Sequence, residues 1–377
     1  MLSVDNHQHR LQTCVVGRSY PPEFYDYIQN TQVRQVMWRI AEETEQDLVR
    51  LGQTLESFGV NVLRPEINPD RNYYWVPERE YYIRPPQCPR DHMLVVGNRV
   101  FNNWSRVPVE PDVYIALAGS DWPYAYTEYI DELPFWIQAE LSEHPSSFGV
   151  ISSAEKFGSN FNSIIEYIQQ QGNTVEYSKF YSANVHRMDK NLYFGTELDD
   201  VDNSLEVLAQ AKTLFPDHRC HSLHTGGHSD SVYFPVCSGL LLATHDIADS
   251  EFDRLFPGWE VVRIGRKDWG VNDPFQEMYQ SHRGRFWVPG EEYNTEFTNF
   301  VVNDLKTWLG HVEETVFDIN ILHIDSQNVL VNLYNQEVFD AFSRHGITAH
   351  VINLKHATFW DGGIHCCTLD LDRSPPL

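Results

Sequence analysis

The sequence predicts a mixed α/β fold built from one repeated unit of strand, strand, helix and strand. Several segments consist of an apolar run, a short turn with Gly, Asn or Asp, and a second apolar run, which is the pattern of a β-hairpin. A stretch with helical spacing and a further short strand then follow. Repetition of this unit about five times favours a toroidal or propeller-like arrangement, in which neighbouring units bury one another's faces. An ordinary mixed α/β sheet is the alternative.

The repeat is visible in particular segments of the chain. Four hairpins are clear, at 92–104, 185–196, 231–244 and 319–333, and a fifth candidate at 11–18 shows only one strand. Helical spacing followed by a short strand occurs in five places. These places are SLEVLAQAKTLF before HRCHSLH, DSEFDRLF before WEVVRI, NQEVFDAFSRHG before ITAHVINL, the region 33–64 before VNVLRPE, and FNSIIEYIQQQG before NTVEYS. The stretches 68–90 and 104–158 fit no repeat, and their Pro, Tyr and Trp content indicates packed insertions.

Length and repetition bear on the number of domains. A chain of 377 residues exceeds the usual size of a single core, which favours two domains. Repetition of one unit argues the other way, because closed repeat architectures stay single at this size. We therefore predict one domain over residues 1–377.

Charge and cysteine content limit the partners and the compartment. The formal net charge of −25 at pH 7 repels nucleic acid and anionic lipid and favours cationic small molecules, although it can also serve solubility alone. No apolar run is long enough to span a bilayer, and the first residues lack the features of a secretion signal. Six scattered cysteines predict free thiols. We expect a cytoplasmic protein with no nucleic-acid and no membrane partner.

A cysteine pair lies near the carboxyl end, in the segment WDGGIHCCTLDLDR at 360–373. Two glycines allow a sharp turn and a close approach to a ligand, and a thiolate is a nucleophile. If this segment is a strand, adjacent side chains point to opposite faces. His365 is then not the partner of Cys366, and only one of Cys366 and Cys367 faces a pocket. A metal site on these neighbours is disfavoured, and a buried pair of small residues is the alternative.

Two further segments carry polar side chains beside predicted strands. In TGGHSDSVYFP, at 225–235, His228 and Asp230 are two residues apart, which puts both on one face at the entry of a strand. Asp91 directly precedes the apolar strand of the 92–104 hairpin. A lone histidine or aspartate in such a place is often a structural residue or a turn former. Both acids gain significance if they share a cavity with the cysteine.

Together these segments resemble the glycine amidinotransferase group of the guanidine-modifying superfamily, which also contains arginine deiminases and dimethylarginine hydrolases. The resemblance lies in PRD at 89–91, VGN at 96–98, HSD at 228–230, GIHCCTLDL at 363–371, and the strand–helix–strand passage at 319–354. It covers residues 11–373 and is weak in the insertions. It implies a five-bladed α/β propeller with the site at its axis. It also explains the pseudo-fivefold repeat of ββαβ units.

The resemblance also implies an activity and its participants. It implies an amidinotransferase that moves the amidino group of L-arginine to an amine acceptor, possibly glycine, through a covalent amidino-cysteine. No cofactor and no metal are implied, and a homodimer is possible. Cys366 corresponds to the nucleophile, His228 to the acid/base, and Asp91 and Asp230 to the carboxylates that clamp the guanidinium. We also expect Arg90, Tyr181 and Asn320 to contact the substrate.

One position departs from the pattern of the family. The family has an aspartate beside the catalytic histidine, and Tyr181 occupies the matching position here. A neutral phenol stabilises an imidazolium less than a carboxylate does. Two alternatives therefore stay open: a catalytically altered or silent relative that binds guanidines or amino acids, and a deiminase-like guanidine hydrolase.

Overall fold

Twenty strands form the sheets in the described part of the chain. The computed structural model describes residues 1–76, 81–103, 113–117, 123–126, 148–152, 161–178, 182–196, 201–225, 228–245, 247–264, 288–305, 308 and 317–375. The strands are β1 Arg10–Val16, β2 Asn61–Leu63, β3 Trp75–Val76, β4 Tyr81–Tyr82, β5 Met93–Val96, β6 Arg99–Asn103, β7 Val113–Leu117, β8 Pro123–Tyr126, β9 Phe148–Ser152, β10 Val175–Ser178, β11 Val185–Met188, β12 Asn191–Thr196, β13 Arg219–His224, β14 Tyr233–Cys237, β15 Leu240–Thr244, β16 Glu260–Ile264, β17 Leu322–His323, β18 Asn328–Val331, β19 Thr348–Val351 and β20 Thr368–Ser374.

Helices of very different lengths connect or cap these strands. Short 3₁₀ turns lie at Pro22–Tyr27, Arg71–Tyr74, Pro89–Asp91 and Ser182–Asn184. The α-helices of the described residues are α1 Thr31–Ser57, α2 Asn162–Gln170, α3 Val201–Leu214, α4 Ser229–Val232, α5 Asp249–Leu255, α6 Thr295–Asp304, α7 Gln336–Arg344 and α8 Ala357–Trp360.

Five three-stranded sheets share one plan, which confirms a mixed α/β fold with a repeated unit. In four of them an antiparallel hairpin is followed by a helix and by a third strand parallel to the second. The four hairpins predicted from the sequence are the hairpins of these four sheets. In chain order these sheets are β5–β6–β10, β11–β12–β13, β14–β15–β16 and β17–β18–β19.

The remaining sheet of this plan joins the two ends of the chain. Strand β1 pairs antiparallel with β20 and parallel with β2, which follows α1. The single strand predicted at 11–18 thus finds its hairpin partner among the last residues described. A local pattern cannot show this pairing, because the two strands are separated by almost the whole sequence.

Buried side chains on both faces of the strands link each sheet to its neighbours. On β5, Met93 and Val95 belong to a cluster shared with the β1 sheet, whereas Leu94 and Val96 pack against the β11 sheet. Alternation of side chains along a strand produces this division. Three further clusters join the remaining neighbours in chain order, including the last sheet and the first. Strands buried on both faces have continuous apolar sequences, as these do.

Hydrogen bonds also cross between neighbouring sheets. Asn320 Nδ2 donates to the carbonyl of Asp230 at 3.1 Å, which connects the β17 sheet with the β14 sheet. The amide of Leu11 on β1 donates to the carbonyl of Ile324 at 2.7 Å, which connects the β1 sheet with the β17 sheet. The guanidinium of Arg187 on β11 bonds Asp370 on β20. These bonds connect segments that lie far apart in the sequence.

Helix α1 covers one face of the β1 sheet. Its N-cap, Asn30, accepts hydrogen bonds from the amides of Gln32 and Val33, which satisfies donors that the first turn leaves unpaired. Buried residues recur three or four apart along the helix and form its inner stripe. The chain leaves the helix through Gly59, whose φ of +82° suits glycine. The helix predicted within 33–64 is therefore confirmed.

The stretches that match no repeat contribute two additional sheets. Strands β3 and β4 form a two-stranded ribbon within 68–90, and β7, β8 and β9 form an antiparallel sheet within 104–158. Neither belongs to the repeated plan, in agreement with the sequence. Among the helices of the described residues, none has both the length and the apolar character that a membrane crossing requires.

Candidate active site

The polar side chains singled out from the sequence occupy one equivalent place in the repeated plan. Five of them lie just before a strand that pairs antiparallel with the central strand of a three-stranded sheet. Asp91 ends a 3₁₀ turn before β5, His228 and Asp230 precede β14, Asn320 precedes β17 and Cys366 precedes β20. Equivalent loops of repeated units come together when the units pack side by side. The bonds between these loops show that several of them do.

The thiol of Cys366 lies at the centre of these contacts. Its Sγ accepts a hydrogen bond from Asn320 Nδ2 at 3.1 Å and lies 3.6 Å from Asp230 Oδ2. Cys366 is 3% exposed, and Asp230 and Asn320 are fully buried. Burial raises the pKa of the Cys366 thiol well above its usual value, and the negative charges of Asp230 and Asp91 and the neighbouring Cys88 raise it further. The thiol is therefore protonated in this structure at neutral pH.

Two asparagines hold the turn that carries this cysteine. Asn320 Oδ1 accepts from the backbone amides of His365 at 2.8 Å and Cys366 at 3.3 Å. Asn332 Oδ1 accepts from the amide of Ile364 at 3.0 Å, and its Nδ2 donates to the carbonyl of Asn320. A Cβ on Gly363 would lie 2.4 Å from Asn320 Oδ1, so only glycine leaves room for this arrangement. The glycine pair therefore allows two loops to approach each other closely, whereas the sequence predicted a close approach to a ligand.

The strand expected at 365–367 is a turn, and this corrects the position of His365. Strand β20 begins only at Thr368, so side chains do not alternate at the cysteines. His365 Nδ1 lies 2.7 Å from Asp230 Oδ2, the same oxygen that Cys366 approaches. His365 and Cys366 therefore share a carboxylate, contrary to the expectation that they are separated. Local sequence could have found this only if the turn had been recognised from the Gly-Gly pair.

Cys367 faces away from these carboxylates, as predicted, although for a different reason. Its sulfur hydrogen-bonds with Cys88, and it lies 3.8 Å from the carbonyl of Gly362. Both cysteines are buried free thiols. A Cβ on Gly362 would lie only 2.8 Å from the sulfur of Cys88. The turn, and not strand alternation, therefore separates the two neighbouring sulfurs.

His228 and Asp230 share one site but lie on a one-turn helix and not at the entry of a strand. His228 is the N-cap of α4, and Asp230 lies within that turn. Burial alone would raise the pKa of Asp230. The hydrogen bond from His365 outweighs it, together with His365, His228 and His186, which favour the carboxylate when they are protonated in acid, so the net pKa is lowered. The Asp230 carboxylate is therefore ionised.

Arg90 hydrogen-bonds to the backbone of the turn that carries Cys366. It is 1% exposed, and its Nε donates to the carbonyl of Thr368 at 3.0 Å and of His365 at 3.4 Å. Its Nη1 donates to Asp370 Oδ1 at 2.7 Å. These bonds fit a residue that positions the turn, and contact with a substrate stays a prediction. Tyr181 lies outside the described residues, so the position that departs from the family has no structural account.

Four buried histidines surround one phenylalanine beside the site. The rings of His7, His186, His323 and His365 lie between 5.1 and 6.1 Å from the ring of Phe234. Burial is the main cause that lowers the pKa of each imidazole, to about 3 for His186, about 4 for His323 and about 4 for His365. The pKa of His7 is lowered by burial and by His323 and His186. All four are neutral at pH 7.

This cluster predicts a loss of stability in mild acid. The unfolded chain protonates these histidines near pH 6.5, whereas the folded chain protonates His186, His323 and His365 only near pH 4 or below, and the pKa of His7 is lowered in the same direction. Stability is therefore complete above pH 6.5 and falls as the pH drops toward 4, by about 1.4 kcal/mol per pH unit for each histidine. Urea unfolding at pH 7, 6 and 5 measures this slope. The variant His186→Phe removes one of these histidines, so the slope of the unfolding free energy against pH should fall by about 1.4 kcal/mol per pH unit. Equal stability at pH 7 and pH 5 would contradict the prediction.

The chain has recognisable relatives among curated proteins. It is 24% identical over 349 residues to the putative inosamine-phosphate amidinotransferase 2 of Streptomyces griseus, covering 90% of this chain and 82% of the relative. It is 22% identical over 346 residues to the mitochondrial glycine amidinotransferase of Xenopus laevis, covering 88% and 70%. No protein-family model matches the chain.

Solved structures share the fold. The inosamine-phosphate amidinotransferase StrB1 of Streptomyces griseus superimposes with a TM-score of 0.60 at 15% identity, covering 100% of this chain and 98% of the other. SxtG, an amidinotransferase of the saxitoxin biosynthetic pathway from Microseira wollei, gives 0.59 at 14% identity, covering 100% and 98%. The fold is thus the mixed α/β fold of amidinotransferase structures. In sequence and in fold, the chain is thus similar to amidinotransferases.

Proposed function

We propose that the protein transfers the amidino group of L-arginine to an amine acceptor through a covalent amidino-cysteine on Cys366. The observation that carries this proposal is a buried thiol within 3.6 Å of the Asp230 carboxylate, with an amide donor from Asn320 on its sulfur. A carboxylate beside a nucleophile suits a cationic substrate, because it holds the guanidinium N–H groups while the sulfur approaches the carbon.

The charges of the site suit activation of the thiol by the substrate itself. Asp230 and Asp91 both raise the pKa of Cys366. A bound guanidinium opposes that effect with its positive charge and so favours the thiolate. The hydrogen bond from Asn320 stabilises the thiolate further. The nucleophile therefore forms when arginine is bound, and the resting thiol is protected from other electrophiles.

The reaction then proceeds in two balanced halves. The Cys366 thiol gives its proton to His228, and the thiolate attacks the guanidinium carbon and gives a tetrahedral adduct. The C–N bond to the ornithine side breaks as His228 donates this proton to the departing amine, which leaves an amidino group on sulfur. An amine acceptor next attacks the same carbon while His228 accepts its proton, and the C–S bond breaks to release the thiolate, which takes that proton back from His228. Water in place of the amine gives a hydrolase.

The acceptor is proposed as a small primary amine. Glycine is a candidate because a relative is named glycine amidinotransferase, and an inosamine phosphate is a second because other relatives carry that name. The acidic chain does not favour an anionic acceptor through long-range attraction. Glycine is therefore the first acceptor to test.

The arrangement of the five sheets is also proposed. We infer that they are the blades of a five-bladed α/β propeller, supported by five buried clusters that each join two neighbouring sheets. Three broader expectations from the sequence stay predictions: one domain over residues 1–377, a cytoplasmic location and a homodimer.

One experiment tests the activity. The purified protein is incubated with arginine labelled in its guanidino carbon, quenched in acid, and digested, and the peptide containing Cys366 is weighed. We expect a labelled amidino group on Cys366, with continued release of ornithine only when glycine or another amine is added. Ornithine with urea, or citrulline with ammonia, would show a hydrolase. No adduct and no turnover with any amine would contradict an enzymatic role and favour a binding protein.

A further inference from the structure

His365 lies in the site although it immediately precedes the nucleophile in sequence. Its Nδ1 is 2.7 Å from Asp230 Oδ2, and both side chains are buried. Its backbone amide donates to Asn320 Oδ1 at 2.8 Å, and its carbonyl accepts from Arg90 Nε and from the Thr368 hydroxyl. The backbone of His365 is therefore fixed on both sides of the ring.

The environment of the ring fixes its protonation and its orientation. The ring packs edge-on against Phe234 at 5.5 Å and lies 6.4 Å from the ring of His186. Burial first, and the charge of Arg90 second, lower its pKa to about 4, against the opposing effects of Asp230 and Asp370. The imidazole is neutral at pH 7, so one ring nitrogen carries a proton. Beside an ionised carboxylate, that proton lies on Nδ1, because only a donor can bond the oxygen.

We infer that His365 is a positioning residue for the guanidinium: its Nδ1–H holds the Asp230 carboxylate ionised and in one orientation for the substrate. This inference rests on the proposed function. Because the same oxygen lies 3.6 Å from the sulfur of Cys366, the bond also sets where the substrate's charge lies relative to the nucleophile. The role differs from that of His228, which moves protons in the proposed reaction, since His365 keeps its proton throughout.

Several titratable groups lie around Asp230 and affect the pKa of its carboxyl group. His365 comes from the turn before β20, His228 from the N-cap of α4, and His186 from β11, and each lowers the carboxyl pKa. Among the described residues, Cys366 is a further titratable neighbour in contact with it. Of these, only His365 is the side-chain hydrogen-bond donor that lowers it. Loss of that donor alone should raise the pKa of Asp230.

A matched pair of variants separates positioning from structure. Asparagine at 365 places its side-chain amide near the position of imidazole Nδ1, whereas leucine fills similar space without a donor. In His365→Leu we expect the KM for arginine to rise about tenfold or more, with a smaller change in kcat, because a hydrogen bond to a buried charge is lost. We also expect the acid limb of kcat/KM to move to higher pH. His365→Asn should keep KM within about threefold and keep the acid limb in place.

Two outcomes would overturn this inference. Equal losses in His365→Asn and His365→Leu, with an unmoved pH profile, would show a merely structural residue. A large fall in kcat with unchanged KM in His365→Leu would show a role in the chemical steps and not in positioning.

A measurement without turnover keeps this inference distinct from the proposed function. Nitrogen-15 NMR of labelled histidine reports which ring nitrogen carries the proton, and the signal of His365 is the one that His365→Asn removes. We expect the Nδ1–H tautomer at pH 7. The Nε2–H tautomer would overturn the hydrogen bond whatever the activity. If the wild-type protein forms no adduct with arginine and yet shows Nδ1–H, the proposed function fails while the pairing of His365 with Asp230 stands.

Discussion

If the proposed function is right, replacing Cys366 by alanine should lower the rate of amidino transfer by about three orders of magnitude or more, because the proposed covalent route loses its nucleophile. The folded protein should survive the change, since alanine fits the space of a thiol that is 3% exposed. Arginine should still bind, because the carboxylates of Asp91 and Asp230 remain. Steady-state rates, the mass of the quenched peptide and calorimetric titration with arginine measure these three expectations.

Cys367→Ala is the matched control for this variant. Cys367 is adjacent in sequence and equally buried, but its sulfur contacts Cys88 and the carbonyl of Gly362 and not the carboxylates. We expect its kcat to stay within about threefold of the wild-type value, with the amidino group still on Cys366. Equal loss in the two variants would show that both sulfurs take part, and the assignment of Cys366 as the nucleophile would be wrong.

Asp370→Asn should be the most destabilising single change near the site. Asp370 is 1% exposed and bonds three buried guanidinium groups, those of Arg90, Arg187 and Arg373, at 2.6–2.8 Å. Burial alone would raise the carboxyl pKa, and the three arginines hold it well below its usual range. Removing the only carboxylate in these contacts leaves three buried positive charges without compensation. We expect a loss of about 3–5 kcal/mol in the free energy of unfolding.

Asp370→Asn should also affect the candidate active site, because Arg90 connects Asp370 with the turn that carries Cys366. Its guanidinium bonds Asp370 on one side and the carbonyls of His365 and Thr368 on the other. Any soluble Asp370→Asn protein should therefore bind arginine more weakly. Asp372→Asn is the control two residues further along β20, where a half-buried carboxylate accepts one backbone bond from Ser3 that asparagine can also accept. Urea unfolding should show a change below about 1 kcal/mol in that control. A similar small change in Asp370→Asn would contradict the role of the network.

The repeated unit could be predicted because its signals are local. Each hairpin has an apolar run, a turn and a second run within a short segment, and each following helix has its own periodicity. Gly239 at the turn of the β14–β15 hairpin, with φ of +95°, is one such local signal. The pairing of β1 with β20 had no local signal, because the partner strand lies at the other end of the chain.

The candidate nucleophile and the acids proposed to clamp the guanidinium were identified from short segments and the family resemblance that they carry, whereas their geometry could not be predicted in this way. The prediction for His365 failed because it assumed a strand where Asn320 and Asn332 hold a turn. Those two asparagines come from another sheet, and no pattern around residue 365 reports them. In the same way, the position of Arg90 beneath the turn depends on Asp370 in a distant strand.

The type and order of most elements and the candidate reactive residues could be predicted from the sequence, because backbone propensity and side-chain reactivity are local properties. The contacts between side chains became known only from the folded molecule: His365 on Asp230, Cys367 on Cys88 and three arginines on Asp370. Such contacts arise where separate sheets pack together. Their distances are fixed by the packing of the whole molecule and not by neighbours in the chain.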